Sequence, residues 1–319
     1  TMAEEQMDEL MKIFPVKLRE ILSQVTWYRE DLEEIRIRIQ RPVQFVTSQA
    51  SFYLDPREKR LMTQAKGGLA LGEEDLREML TYVCEYSRYA YARQMRQGFL
   101  ALDGGIRLGL CGQYMAEEDG RIGMEYPMYF SIRIPHEKKE CAAWIEPWLI
   151  EGETFLHTLI LAAPGMGKTT FLRDLVRVLS DRPTCRGLAL IDERYEVAAA
   201  NFGIPQNDVG LHTDVYSGYA KEAGCMQAIR TMAPQILAVD EIGGKKDLES
   251  LVYAMHCGVG VLATMHAGSL LEYQQKREWE PLLEKCHFRR LLWIDKKSGR
   301  RQFFLYDEAG ELLCVKESA

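Results

Sequence analysis

The sequence predicts an α/β fold: a mostly parallel sheet with helices on both faces over residues 148–319. A smaller α+β domain over 1–147, with a linker from about 136, precedes it. Three observations predict this. In the second half, short continuous apolar runs alternate with helix-length segments, as in a parallel sheet covered on both sides. In the first half, strict apolar–polar alternation and a glycine-rich hairpin mark half-buried strands. Between 158 and 179, a strand, a glycine loop and a helix follow one another, the context that phosphate binding requires.

Residues 4–26 carry helical spacing through Leu10, Ile13, Leu18, Ile21, Leu22 and Val25. Pro15 divides them into two helices, because it lacks a donor and clashes with the preceding turn. Residues 34–40 alternate, with Ile35, Ile37 and Ile39 on one face and Arg36 and Arg38 on the other. Residues 73–87 return to helical spacing through Leu76, Met79, Leu80 and Val83. Residues 98–110 read as a hairpin turning at Asp103-Gly104-Gly105, and 129–134 as another alternating strand. The apolar runs 158–163, 187–191, 235–239 and 260–263 supply the parallel sheet. Up to three strands close the chain, at 289–295, 302–306 and 311–315, with turns at 297–300 and 307–310.

Composition narrows the function. The chain has 319 residues, enough for two domains that each bury a core. Its 47% hydrophobic and 27% charged content excludes a disordered or collagen-like polymer. The net charge of −7 argues against a dedicated nucleic-acid binder. No apolar run reaches bilayer length. The acidic start (Glu4, Glu5, Asp8, Glu9) is unlike a secretion signal. Cysteines 84, 111, 141, 185, 225, 257, 286 and 314 form no CxxC pair, so no zinc or redox motif is indicated. Most are expected to be buried thiols in a reducing compartment. A cytoplasmic globular protein is expected.

The most informative passage is Thr158 to Thr170. An apolar strand enters Pro164-Gly165-Met166-Gly167, and Lys168-Thr169-Thr170 opens a helix carrying Phe171, Leu172, Leu175, Val176 and Leu179. Glycines at 165 and 167 allow positive φ and let backbone N–H groups approach phosphate oxygens. The helix N-terminus favours negative charge. Lys168 is placed to neutralise the β- and γ-phosphates of ATP, and Thr169 to offer a hydroxyl to Mg²⁺. The strict pattern begins with glycine; here Ala162 stands there, at an outer position that tolerates a small side chain.

Two apolar runs end in Asp-Glu, at Asp192-Glu193 and Asp240-Glu241. Ligands in parallel sheets bind at the C-terminal ends of strands. Asp240 is the candidate metal ligand, acting mostly through water, and Glu241 the candidate base for an attacking water. Glu193 or Glu196 completes the cluster in this reading, with Arg194 paired to them. A third run ends in Thr264-Met265-His266, which places His266 where a γ-phosphate sensor is expected.

Together, 162–169, 191–196, 236–243 and 264–266 resemble the Walker A, Asp box, Walker B and His box of type II/type IV secretion and type IV pilus ATPases. The chain is most similar to the stage III sporulation protein AA family. Segments carrying that similarity are Glu34-Ile-Arg-Ile-Arg-Ile39, Gly105-Ile-Arg-Leu-Gly-Leu-Cys-Gly112, Ile229-Arg-Thr-Met-Ala-Pro-Gln-Ile236 and Val239-Asp-Glu-Ile-Gly243, among others, in both halves.

The resemblance implies a RecA-like P-loop domain that binds ATP and Mg²⁺. It also implies a homo-oligomeric ring, expected to be a hexamer, in the mother cell of an endospore-forming bacterium. There the ring would power or assemble a secretion-like channel toward the forespore, peripherally attached through membrane-embedded channel components. Arg107 and Arg133 are the candidates for arginines that reach the phosphates. Asp240 departs from the glycine that many secretion ATPases carry there. Two other readings stay open: a nucleotide-gated scaffold with little turnover, and a RecA-like motor driven by nucleic acid. The latter is suggested by Arg36, Arg38 and the arginine-rich segment 88–96. No direct nucleic-acid partner is expected.

Overall fold

The computed structural model describes residues 2–28, 31–84, 88–116, 122–135, 139–268, 273, 280–297 and 300–318. The chain forms two compact units, Thr1–His136 and Glu137–Ala319.

In the first unit, helices α1 (Met2–Ile13) and α2 (Val16–Leu22) are separated at Pro15, as predicted. Strands β1 (Leu32–Arg38), β2 (Gln44–Thr47), β3 (Ser51–Asp55) and β4 (Arg60–Met62) follow. Then come α3 (Glu73–Val83), α4 (Arg88–Arg96), β5 (Phe99–Ala101), β6 (Arg107–Ala116) and β7 (Ile122–Arg133). The seven strands form one antiparallel sheet in the order β4-β3-β2-β1-β7-β6-β5. Strand β1 turns Leu32, Ile35 and Ile37 inward and leaves Arg36 exposed. Those side chains meet Leu10, Phe14 and Leu18 from the helices and Leu76 and Met79 from α3. Each such burial is worth about 1.5–3 kcal/mol of transfer free energy. The hairpin turn expected at 103–105 is a single 3₁₀ turn between β5 and β6. The end of the helix expected over 73–87 lies outside the described residues.

The second unit begins with a segment, 139–148, that was expected as linker. It packs into that unit's core through Ala142 and Ile145, with Leu149 just beyond. A short hairpin, β8 (Ile150–Glu151) and β9 (Thr154–Phe155), leads into β10 (Thr158–Ala162) and α5 (Lys168–Ser180). Strands β11 (Leu188–Asp192) and β12 (Thr213–Ser217), helix α6 (Lys221–Thr231), β13 (Ile236–Ile242), α7 (Lys245–His256) and β14 (Gly260–His266) follow. The chain ends with α8 (Glu280–Lys285), β15 (Arg290–Lys297), β16 (Arg300–Asp307) and β17 (Leu312–Glu317).

The strand order is β12-β11-β13-β14-β10-β15-β16-β17. The first six strands are parallel and the last three antiparallel to one another. Strand β10 shows why its run is continuously apolar. Leu159 and Leu161 face one core with α6 and α7, while Ile160 and Ala162 face another with α5. Four of the eight cysteines (84, 185, 225 and 286) are buried, and 111 and 257 are exposed, so burial of most of them is not observed.

Asp174 on α5 fixes the 139–148 segment. Its carboxylate accepts the backbone N–H groups of Glu140 (3.2 Å) and Ala142 (2.7 Å) and pairs with Arg177 at 2.8 Å. Only 2% of this side chain is exposed, so removing it strands two donors and a guanidinium. Asp174→Ala is expected to cost about 3 kcal/mol in urea unfolding of the full chain. Asp174→Asn, which keeps one acceptor, is expected to cost less.

Candidate functional site

The candidate site lies where β10, β13 and β14 end at the same edge of the sheet. Parallel strands place their C-terminal ends together, so residues distant in sequence converge there. Strand β14 lies between β10 and β13. A residue ending β14 therefore sits between the glycine loop and the Asp-Glu pair.

The loop itself follows from its glycines. Gly165 and Gly167 take φ of +77° and +85°, which a side chain disfavours. Gly167 caps α5, and Lys168 begins it. Pro164 and Gly165 are exposed, Met166 and Thr170 half-buried. Ala162 is fully buried inside the sheet.

Lys168 is 5% exposed. Its ammonium lies 3.0 Å from His266 Nδ1 and 3.2 Å from Nε2. Burial pushes the Lys168 pKa below the ordinary lysine range. The carboxylates of Asp240, Glu241 and Glu196 pull it back only in part. A buried cation with incomplete compensation is a seat for further negative charge.

Thr169 Oγ donates to Asp240 Oδ2 at 3.4 Å. Thr264 Oγ donates to Asp240 Oδ1 at 2.7 Å and accepts the Glu241 N–H at 2.7 Å. Glu241 has φ of +52°, and the β13–β14 register shifts between Val239 and Ile242. That bulge re-aims the Asp-Glu pair out of the sheet, at a backbone cost of about 1–3 kcal/mol. Glu241 pairs with Arg194 at 3.0 Å and lies 3.6 Å from His266 Nε2.

The turn after β11 is built on Asp192, which is 1% exposed. Its carboxylate accepts the N–H groups of Glu196, Val197 and Ala198. Burial pushes its pKa up to about 6; those donors lower it and the nearby Asp240 charge raises it. Arg173 on α5 donates to the carbonyls of Val197 and Glu196, locking the turn against the helix.

The structure therefore brings together Lys168, Thr169, Glu196, Asp240, Glu241 and His266. Glu193 is held instead by Lys221 at 2.6 Å. Arg194, expected to pair with Glu193 or Glu196, forms an ion pair with Glu241 at 3.0 Å. Sequence reasoning gave Thr264 no role, although a threonine in an otherwise apolar strand is a readable signal.

Arg107 and Arg133 lie together on the first unit's sheet, as directly paired residues of β6 and β7. With Arg36 and Arg38 they line a cavity of about 350 Å³. The Arg107 guanidinium stacks 4.0 Å over the Phe99 ring.

A hydroxyl and a carboxylate, Thr169 and Asp240, are hard oxygen donors that suit Mg²⁺ carried in with phosphates. Among the described residues, no group of three or more His, Cys, Asp and Glu forms a metal cage. Among the described residues, no helix is long and apolar enough to cross a membrane.

Comparison with known proteins bears on the family and the fold. The family described as "Sporulation stage III, protein AA" matches residues 4–313. Stage III sporulation protein AA of Bacillus subtilis (strain 168) is 33% identical over 316 residues, 96% of this chain and 97% of that protein. The ATPase DotB of Legionella pneumophila aligns over 88% of this chain and 74% of its own, with a TM-score of 0.54 and 15% identity. The pilus retraction motor PilT with bound ADP aligns over 96% and 82%, with a TM-score of 0.55 and 12% identity. The fold is thus a RecA-like α/β fold shared with DotB and PilT.

Thr264 ties the two acidic residues together from the centre of the sheet, where it is fully buried. Thr264→Val is expected to lower stability by about 2 kcal/mol, because it leaves a carboxylate and an N–H without their partner. Thr264→Ser keeps the hydroxyl and is expected to cost less than about 1 kcal/mol. Urea denaturation of both variants checks this.

Proposed function

We propose a function from one premise: the chain belongs to the sporulation stage III protein AA family. In this proposal it is a Mg-ATP hydrolase of the secretion-ATPase type. It works as a homo-oligomeric, hexameric ring in the mother-cell cytoplasm, peripherally attached to membrane-embedded components of a secretion-like sporulation channel. It powers or assembles that channel. The observation that carries the enzymatic part is the convergence of Lys168, Asp240, Glu241 and His266 at adjacent strand ends.

The chemistry follows from those residues. The N–H groups of 165–170 and the Lys168 ammonium bind the β- and γ-phosphate oxygens of ATP. Thr169 and Asp240 would hold Mg²⁺, which would supply further neutralisation of phosphate charge. Glu241 orients a water and accepts its proton as the water oxygen attacks the γ-phosphorus. The bond from phosphorus to the β,γ-bridging oxygen breaks, leaving ADP and inorganic phosphate. His266 contacts Lys168 and lies beside Glu241, so it reports γ-phosphate occupancy to the base. Arg107 and Arg133 serve as cationic partners for the phosphates of a neighbouring subunit in the ring.

One observation favours a second reading, a nucleotide-gated scaffold with little turnover. Glu241 is engaged by Arg194 at 3.0 Å, which occupies the carboxylate that would act as the base. Hydrolysis requires that pair to open.

Steady-state Mg-ATP hydrolysis by the purified full chain separates the readings. Wild type is expected to turn over, with a rate per chain that rises with protein concentration as the ring assembles. Lys168→Ala and Glu241→Gln are each expected to lower kcat at least about 100-fold without loss of fold. Arg107→Ala and Arg133→Ala are expected to lower kcat while leaving single-chain nucleotide affinity within about twofold. Equal turnover by wild type and Glu241→Gln contradicts the assigned role of the carboxylate.

A further inference from the structure

Four side chains at the candidate site stand in one row. The Lys168 ammonium lies 3.0 Å from His266 Nδ1, and His266 Nε2 lies 3.6 Å from Glu241 Oε1. Glu241 Oε2 in turn accepts from Arg194 Nη1 at 3.0 Å. The row therefore ends in a cation on each side. Lys168 is buried, whereas the Arg194 side chain is 58% exposed. Burial is the main reason that the Lys168 pKa is lowered, and the guanidinium charge of Arg194 adds to it. The two cations thus lie within electrostatic reach of each other.

The turn that carries Arg194 is fixed, and its side chains leave it in different directions. The Asp192 carboxylate takes the N–H groups of Glu196, Val197 and Ala198. The Asp192 carbonyl accepts the N–H groups of Tyr195 (3.4 Å) and Gly218 (3.0 Å). Glu193 is drawn to Lys221. The Tyr195 hydroxyl lies against Gly218, where a β-carbon would come within 2.1 Å of it. Of these three consecutive side chains, Arg194 is the one that crosses to Glu241, in β13. Its long stem can adjust over a backbone that is pinned.

Resting on the nucleotide reading above, we propose that Arg194 exchanges partners: it leaves Glu241 for the γ-phosphate of a bound nucleoside triphosphate, and so discriminates ATP from ADP. The carboxylate and the γ-phosphate compete for one guanidinium. A carboxylate carries a single charge, whereas a terminal phosphate carries nearly two and three acceptor oxygens. The guanidinium fork matches phosphate geometry. A hydrogen bond to a charged group is worth roughly ten- to a hundredfold in affinity. A partly exposed ion pair is worth no more than about fivefold. The exchange is therefore favourable when a γ-phosphate is present. ADP ends at the β-phosphate, which the loop holds, and leaves the pair closed. The step that grips the substrate is also the step that frees the base.

The test is calorimetric titration of the full chain, with Mg²⁺, using ADP and the non-hydrolysable analogue β,γ-imido-ATP. Arg194→Ala is expected to weaken the analogue about tenfold and to change ADP less than about twofold. Retained ADP binding also shows that the variant is folded. Glu241→Gln adds a readout that a merely structural arginine would not move, because it removes the resting partner. It is expected to tighten the analogue about threefold more in the wild-type background than in Arg194→Ala. For ADP its effect is expected to agree between the two backgrounds within about twofold. Three results overturn the exchange and leave the phosphate seat standing: an analogue affinity that Arg194→Ala leaves unchanged or raises, a parallel loss for ADP, or no difference between backgrounds. Failure of well-folded wild type to bind either nucleotide overturns both readings together.

Discussion

A lysine ammonium buried at the mouth of a parallel sheet is the constraint on which the rest of the second unit depends. Unit charges about 4 Å apart interact with roughly 4 kcal/mol at an effective dielectric constant of 20. Lys168, at 5% exposure, is therefore held only by a surrounding arrangement of opposite charge and acceptors. Asp240, Glu241 and Glu196 supply the charge, and the His266 ring lies against the ammonium at 3.0 Å. Three segments far apart in sequence must end at one edge for this to happen. Interposing β14 between β10 and β13 achieves it, since each strand then delivers one polar group to the same place.

Around that cation the structure keeps its acids in different states of readiness. Asp240 is fixed by two hydroxyls, from Thr169 and Thr264. Asp192 is committed to three backbone N–H groups and serves the turn rather than the chemistry. Glu241 alone stands on a strained backbone, in a bulge, and faces a surface arginine. Strain at a residue whose side chain must be aimed is a recurrent feature of functional sites. The pair with Arg194 is partly exposed and so contributes little to stability. It is easily exchanged for another partner.

Much of this was legible in the sequence, and the failures have physical causes. The apolar runs that became β10, β11, β13 and β14 are buried on both faces, so their composition alone marks them. Strand β12, Thr-Asp-Val-Tyr-Ser, lies at the sheet edge and is half-buried throughout, and it offers no apolar run. Strands β2, β3 and β4 are short and sit toward the edge of the first sheet. Helix α4 carries too few aliphatic residues to show a stripe. The glycine loop and the Asp-Glu pairs were readable because each is local. The ion pair of Arg194 with Glu241 was not, because it joins residues 47 positions apart through strand order. Arg301 gave no signal at all: its contact with Gly167 links residues 134 positions apart through sheet order.

The central claim is that the 165–170 loop and Lys168 form a seat for the phosphates of a nucleotide. Equilibrium dialysis with a radiolabelled, non-hydrolysable ATP analogue tests it without depending on turnover. The account predicts saturation at one nucleotide per chain, strengthened by Mg²⁺ and lost in Lys168→Ala. Uptake that neither saturates nor responds to Mg²⁺ in well-folded protein, or that Lys168→Ala leaves intact, contradicts it.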